Sequence, residues 1–125
     1  MGSFNVEVEI GDPSGTRFES VEALVDTGAA YTCIPSDVLT RLGVRPTDRR
    51  TFELADGRMT SYGFAFATIR LQGKVQPTPV IFGDEGSGAL LGVVTLEEFS
   101  LGIDPMNQQL IEVALNLKGV RLLDE

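Results

Sequence analysis

Phe4, Val6, Val8 and Ile10 alternate with Asn5, Glu7 and Glu9, the two-residue period of a half-buried strand. Turn formers follow at Gly11, Asp12, Pro13, Ser14 and Gly15, and residues 16–25 predict a returning strand, so the chain opens on a hairpin. That strand runs straight into Asp26-Thr27-Gly28-Ala29-Ala30. Residues 31–34 are β-rich and end at Pro35; Ser36 is placed to cap a short helix over 37–42, closed by Gly43. Strand-like segments at 51–54 and 59–71 flank Asp56-Gly57, a strong short hairpin signal. Gly73 permits another turn before a strand over 75–82, where Pro77 and Pro79 require an edge.

Residues 83–88 read as a flexible Gly-rich loop, and 89–92 as a short apolar strand. Thr95-Leu96-Glu97-Glu98 matches a capping box opening a brief helix. Two last strands, 101–104 and 109–117, surround the turn Asp104-Pro105, and Val120, Leu122 and Leu123 form a small apolar set in the tail. About eight short strands at regular spacing with one or two short helices predict an all-β fold, closed or sandwiched.

Composition narrows the function. The 125 residues allow one domain spanning 1–125, and 42% hydrophobic against 22% charged residues permits a buried core. A net charge of −8 repels phosphate backbones, which argues against a nucleic-acid partner. The chain has no His, which removes imidazole catalysis and His-ligated zinc. Cys33 is the only cysteine, so neither an internal disulfide nor a cysteine-built zinc site is available. Carboxylates, Lys and Tyr remain for acid–base work. No apolar run reaches the roughly 20 residues of a membrane span, and the N-terminus lacks a basic region followed by an apolar stretch. A soluble, cytoplasmic protein without membrane partner is expected.

The chemistry concentrates at Leu24-Val25-Asp26-Thr27-Gly28-Ala29, where apolar residues lead into a carboxylate at a strand end. Glycine lets the backbone turn tightly and approach another segment closely. By itself Asp-Thr-Gly occurs by chance in roughly a few per cent of chains this long, and reads equally well as a strand ending in a turn.

Its surroundings change that balance, because the sequence resembles the retropepsin-like aspartic proteases, the retroviral enzymes and their small relatives. The resemblance rests on residues 24–29, on a flap-like hairpin over 51–71 with Asp56-Gly57 at its tip, on Leu90-Leu91-Gly92 followed by Leu96-Glu97-Glu98-Phe99, and on Leu101-Gly102-Ile103-Asp104-Pro105. Order and spacing agree over about residues 4–115. The resemblance implies a closed β-barrel with a flap hairpin. It also implies an aspartic endopeptidase whose catalytic residues are Asp26, Thr27 and Gly28, with Ala29, Ala30, Asp56, Gly57 and Arg58 at the substrate. It implies neither cofactor nor metal. Such enzymes need two carboxylates sharing one proton, and one Asp-Thr-Gly per chain then requires a homodimer. Thr27 would brace the paired loops and Gly92 would leave room for them. The chain departs from the retroviral pattern in two places: the tip carries one glycine, and Ala30-Tyr31-Thr32 follows the motif where many retroviral enzymes have an acidic pair, so substrate preference does not carry over.

Other residues have plainer readings. Cys33 reads as a small buried hydrophobe, Asp56 and Asp104 as turn residues, and Asp84-Glu85 as a solvated loop rather than a weak calcium site. Tyr31, Phe64 and Phe66 are core candidates, with pocket lining as the lesser option for Tyr31. The apolar tail 117–123 and the Asp26 loop are the expected dimer interface. Two alternatives stay open: a retropepsin-like module that dimerises or binds peptide but cleaves little, and an unrelated acidic β-barrel with a small ligand.

Overall fold

A computed structural model describes residues 3–114. The opening hairpin forms as the alternation predicts: β1 (Asn5–Gly11) pairs antiparallel with β2 (Phe18–Val25). Its turn is held by the Asp12 side chain, whose Oδ1 accepts the amides of Thr16 and Arg17 at 2.9 and 3.1 Å. After the Asp26 loop come β3 (Thr32–Pro35) and α1 (Ser36–Arg41). Ser36 does not cap this helix. Pro35 occupies the cap position without a side-chain hydrogen bond, and Ser36 is the first helical residue. The C-terminus stops as expected: Gly43 takes φ +81°, its amide donates to Thr40 and that of Val44 to Leu39.

Then β4 (Asp48–Glu53) and β5 (Met59–Leu71) make one hairpin, and β5 makes a second with β6 (Lys74–Gly83). Their turns differ in kind. At the first, the Gly57 amide donates to Leu54 and the Leu54 amide to Arg58, a three-residue loop in which Gly57 alone has positive φ. At the second, Gln72 and Gly73 both have positive φ, at 53° and 81°, and join directly paired Leu71 and Lys74. The mirror-image two-residue turn therefore sits at Gln72-Gly73 and not at Asp56-Gly57.

The remaining elements are β7 (Ala89–Leu91), α2 (Val93–Glu98), β8 (Leu101–Asp104) and β9 (Gln109–Glu112). The sheet runs β1-β2-β7-β3-β6-β5-β4, and β1 also pairs with β5 through Glu9–Arg70 and Ile10–Ile69. That pairing closes six strands into a barrel and leaves β4 outside it on β5. At the seam, Arg70 bonds Glu9 at 2.8 Å and lies 4.0 Å over the Phe18 ring, while Ile10 and Ile69 are fully buried behind them. β8 and β9 form a separate two-stranded sheet. The closed all-β architecture expected from the sequence is present.

Inside the barrel, Val8, Ile10, Ile34, Ile69, Val80 and Leu91 are almost wholly shielded from solvent. Pro77 and Pro79 lie opposite Thr68 and Phe66 on β5, whereas β3 pairs with β6 only from Val80 onward, so both prolines occupy a locally free edge. Phe64 is buried, but Phe66 is 61% exposed and is not part of the core. Ala65, Ala67, Ile69 and Leu71 take the inward phase of β5, so Phe66 faces the opposite side with the half-buried Thr68 and Arg70; Phe64 on that side is covered by Arg50 and Tyr31. The capping box at Thr95 is likewise absent: α2 starts at Val93 with Gly92 at its cap position. The tail 117–123, an expected interface segment, lies outside the described residues. Among the described residues no helix is long and apolar enough to cross a membrane.

Gln72→Asn should favour the turn at Gln72-Gly73, since Asn tolerates positive φ in this turn type better than Gln. A gain of about 0.5 kcal/mol in denaturant unfolding is expected, and a loss of stability would contradict the assigned geometry.

Candidate active site

Asp26 is the residue immediately after β2, and its place is set by strand pairing on both sides. β2 runs parallel to β7, pairing Val25 with Leu91, and the Asp26 amide donates to the Leu91 carbonyl at 3.1 Å. The half-buried carboxylate accepts the Gly28 amide through Oδ1 at 2.9 Å, and the Asp26 carbonyl accepts the Ala29 amide at 3.1 Å. The tight loop therefore turns the carboxylate onto its own backbone. A β-carbon on Gly28 would stand 3.2 Å from Oδ1, crowding the carboxylate.

The loop is held from below by the start of α2. Val93 and Val94 donate their amides to the carbonyls of Ala29 and Ala30 at 3.0 and 2.9 Å. These two helix-terminal donors would otherwise need a side-chain cap; with the loop carbonyls in that place the helix starts at Val93, two residues before Thr95 could cap it. Gly92 sits where no side chain fits: a β-carbon there would lie 2.5 Å from the Tyr31 carbonyl carbon and 2.8 Å from the Ala30 oxygen. Its amide donates to Thr32 Oγ1 at 3.0 Å. Thr32 Oγ1 also meets Thr95 Oγ1 at 2.6 Å, and Thr95 Oγ1 meets Thr78 Oγ1 at 2.9 Å. All three threonines are fully buried. The sequence reading missed Thr32 and Thr78 and misplaced Thr95.

Two cavities border the loop. One, of about 430 Å³, brings Asp26 and Thr27 together with Phe4, Val25, Ile103 and Pro105. The other, of about 320 Å³, is lined by Ala29, Ala30 and Tyr31 together with Phe52, Tyr62 and Ile81. Gly28 also borders this second cavity. Phe52 belongs to β4 and Tyr62 to β5, so the hairpin arches over the loop's neighbourhood. Tyr31 takes the pocket-lining option, with its ring edge-on to Phe64 at 5.8 Å. Cys33 is half-buried in the same cavity wall rather than fully enclosed, and burial first, then the Asp84 charge, pushes its thiol up. A raised thiol is a poor nucleophile at neutral pH.

The other expected substrate residues sit at the exposed hairpin tip. Asp56 accepts the Arg58 amide at 3.0 Å and the Arg58 Nε at 2.7 Å. The Arg58 amide, then its guanidinium, hold the Asp56 carboxyl below the usual range. A depressed carboxylate contributes above its unfolded value and loses that contribution only as pH falls through the lower folded value, so this turn persists in mild acid. Arg58 borders a third cavity with Arg49, Asp84 and Glu85, away from Ala29 and Ala30. Among the described residues no three acidic or cysteine side chains converge to hold a metal ion.

Gly92→Ala is expected to destabilise the fold by about 3 kcal/mol or more, because its new methyl meets backbone that cannot swing aside. Gly88→Ala, with nothing within 4 Å of its added carbon, should stay within about 0.5 kcal/mol of the parent chain. Equal unfolding midpoints for the two variants would refute the close packing at Gly92.

Comparison with known proteins points the same way as this geometry. A family model described as aspartyl protease matches residues 6–104. No curated protein matches the chain in sequence. Among solved structures, the crystal structure of the retroviral protease-like domain of Ddi1 from Leishmania major is similar at a TM-score of 0.62 and 22% identity, over 93% of this chain and 92% of that one. The solution structure of simian foamy virus (mac) protease is similar at 0.56 and 23% identity, over 77% of this chain and 94% of that one.

Proposed function

Since the chain belongs to the aspartyl protease family, we propose that it is an endopeptidase in which Asp26 pairs with Asp26 of a second copy. The observation that carries this reading is the hold on one carboxylate. Asp26 is fixed at a strand end by the Leu91 carbonyl and the Gly28 amide, beside a cavity whose other walls include Phe4, Val25 and Ile103. A carboxylate set among apolar groups on an open face suits a site completed by another molecule. The exposed apolar residues Ile111 and Val113 of the β8–β9 region add to the surface such a copy could cover. Each chain supplies one Asp-Thr-Gly, so two-fold symmetry brings the second carboxylate.

In that dimer the two carboxylates share one proton, because two like charges at close range do not both ionise readily, as is established for aspartic proteases in general. The ionised member takes a proton from water, which attacks the scissile carbonyl carbon. The protonated member donates a hydrogen bond to the carbonyl oxygen as negative charge develops there. When the tetrahedral intermediate collapses, the C–N bond breaks and the leaving nitrogen takes a proton from the dyad, departing as an amine beside the new carboxyl group. The peptide lies extended below the hairpins, held through its main chain, with a side chain in the cavity between Tyr31 and Phe52. Ala29, Ala30, Gly57 and Arg58 line its path in this reading, and Thr27 braces the paired loops. Chemistry of this kind needs neither cofactor nor metal. A cytoplasmic location accords with the single free Cys33.

Asp26→Asn keeps the side chain's shape but cannot accept the proton from water. Loss of a general base alone costs about two to four orders of magnitude in rate, and symmetry removes both carboxylates at once. The variant is expected to remain a folded dimer by sedimentation and to cleave a diverse peptide mixture more than about a thousandfold more slowly. Cleavage of the same bonds at the parental rate would overturn Asp26 as the catalytic residue. A strictly monomeric parent chain would overturn the paired site.

A further inference from the structure

The proposed mechanism employs Asp26 directly but gives no task to the three hydroxyls buried behind it. Thr32, Thr78 and Thr95 come from β3, β6 and α2, and each is 0% exposed. Their oxygens form one line: Thr78 to Thr95 at 2.9 Å, Thr95 to Thr32 at 2.6 Å, and Thr32 to the Gly92 amide at 3.0 Å. Valine has nearly the same shape, and an aliphatic core would pack there without any hydroxyl. Buried hydroxyls add little net stability over water, whereas a fully satisfied line of them fixes one geometry.

The geometry fixed here is that of the catalytic loop. Four consecutive residues make hydrogen bonds to it or to the first residue of β3 just beyond it: Leu91 to Asp26, Gly92 to Thr32, Val93 to Ala29 and Val94 to Ala30. Three of these bonds join backbone to backbone in the loop; the Gly92 bond alone goes to a side chain, that of Thr32, and the other hydroxyls orient it. We propose that Thr95, acting through Thr32 and Gly92, is a positioning residue for Asp26. By joining β6, β3 and α2 at one point, it sets how far the helix end stands from the loop. This inference rests on the reading of Asp26 as the catalytic carboxylate. A misplacement of about 1 Å in such a site can cost a hundredfold in rate.

Thr95→Val and Thr95→Ser in the full chain test it, with kcat and KM on a peptide the parent cleaves and amide exchange at Gly92, Val93 and Val94 as readouts. Thr95→Val is expected to lower kcat by about tenfold to a hundredfold with KM within about twofold. It should also speed exchange at those three amides while Ile69, at the barrel seam, is unchanged. Thr95→Ser, which restores the hydroxyl, should recover both. Parental kcat in the Val variant, loss that merely follows the unfolded fraction, or a Ser variant as impaired as Val would each overturn the proposal. If Thr95→Val does not fold, Thr78→Val removes only the far end of the line, and unchanged kcat and exchange in that variant would overturn it. A parent chain that cleaves no peptide overturns the hydrolase reading, whereas unchanged Gly92 exchange in Thr95→Val overturns the positioning role, so the two failures are distinct.

Discussion

The constraint on which the site depends is the clamp between residues 91–94 and the loop that follows β2. Every member of the clamp is a backbone amide or carbonyl with a partner in the loop or just beyond it. The loop in turn supplies the carbonyls that α2 lacks at its N-terminus. Each segment satisfies the other's polar groups, so neither is stable in this conformation alone. Gly92 is what lets them come close enough, because a single β-carbon would occupy the space of the Tyr31 backbone. The Asp26 carboxylate inherits its rigidity from this mutual arrangement and not from side-chain packing around it.

The barrel exists around that clamp. β2 and β7 run parallel, as do β3 and β6, and Cys33 pairs with Leu90 between them. Parallel neighbours demand long connections, and here the chain segments between them make the hairpins that arch beside the site. The β1–β5 seam then closes the ring. Ladder hydrogen bonds and the buried aliphatic set keep β2 and β7 in fixed register, so the strand ends carrying Asp26 and Gly92 stay opposite one another.

Much of this was legible in local sequence, for a physical reason. Strand phase shows in the alternation of Val6, Val8 and Ile10, and Asp26-Thr27-Gly28 is compact because a carboxylate bonding its own loop needs partners within two or three residues. The failures share a cause too. Thr95-Leu96-Glu97-Glu98 satisfies a capping pattern locally, yet the helix begins two residues earlier, at Val93, because Ala29 and Ala30 accept its first amides, and the Thr95 hydroxyl turns to Thr32 and Thr78 instead. Thr32 and Thr95 touch across 63 residues of chain, and a threonine carries no local sign of such a partner. Asp56-Gly57 marked a turn correctly, but its type depended on how many residues the strands left unpaired. Phe66 was misjudged because aromatic character says nothing of which side of β5 it faces.

The clamp has a consequence for synthesis. Asp26 leaves the ribosome some 65 residues ahead of its partners at 91–94. Until β7 threads between β2 and β3, the loop has no floor and the carboxylate no fixed direction. A nascent chain therefore carries the carboxylate before its support, and the loop takes its folded shape only once residues 91–94 have been made and are able to pair.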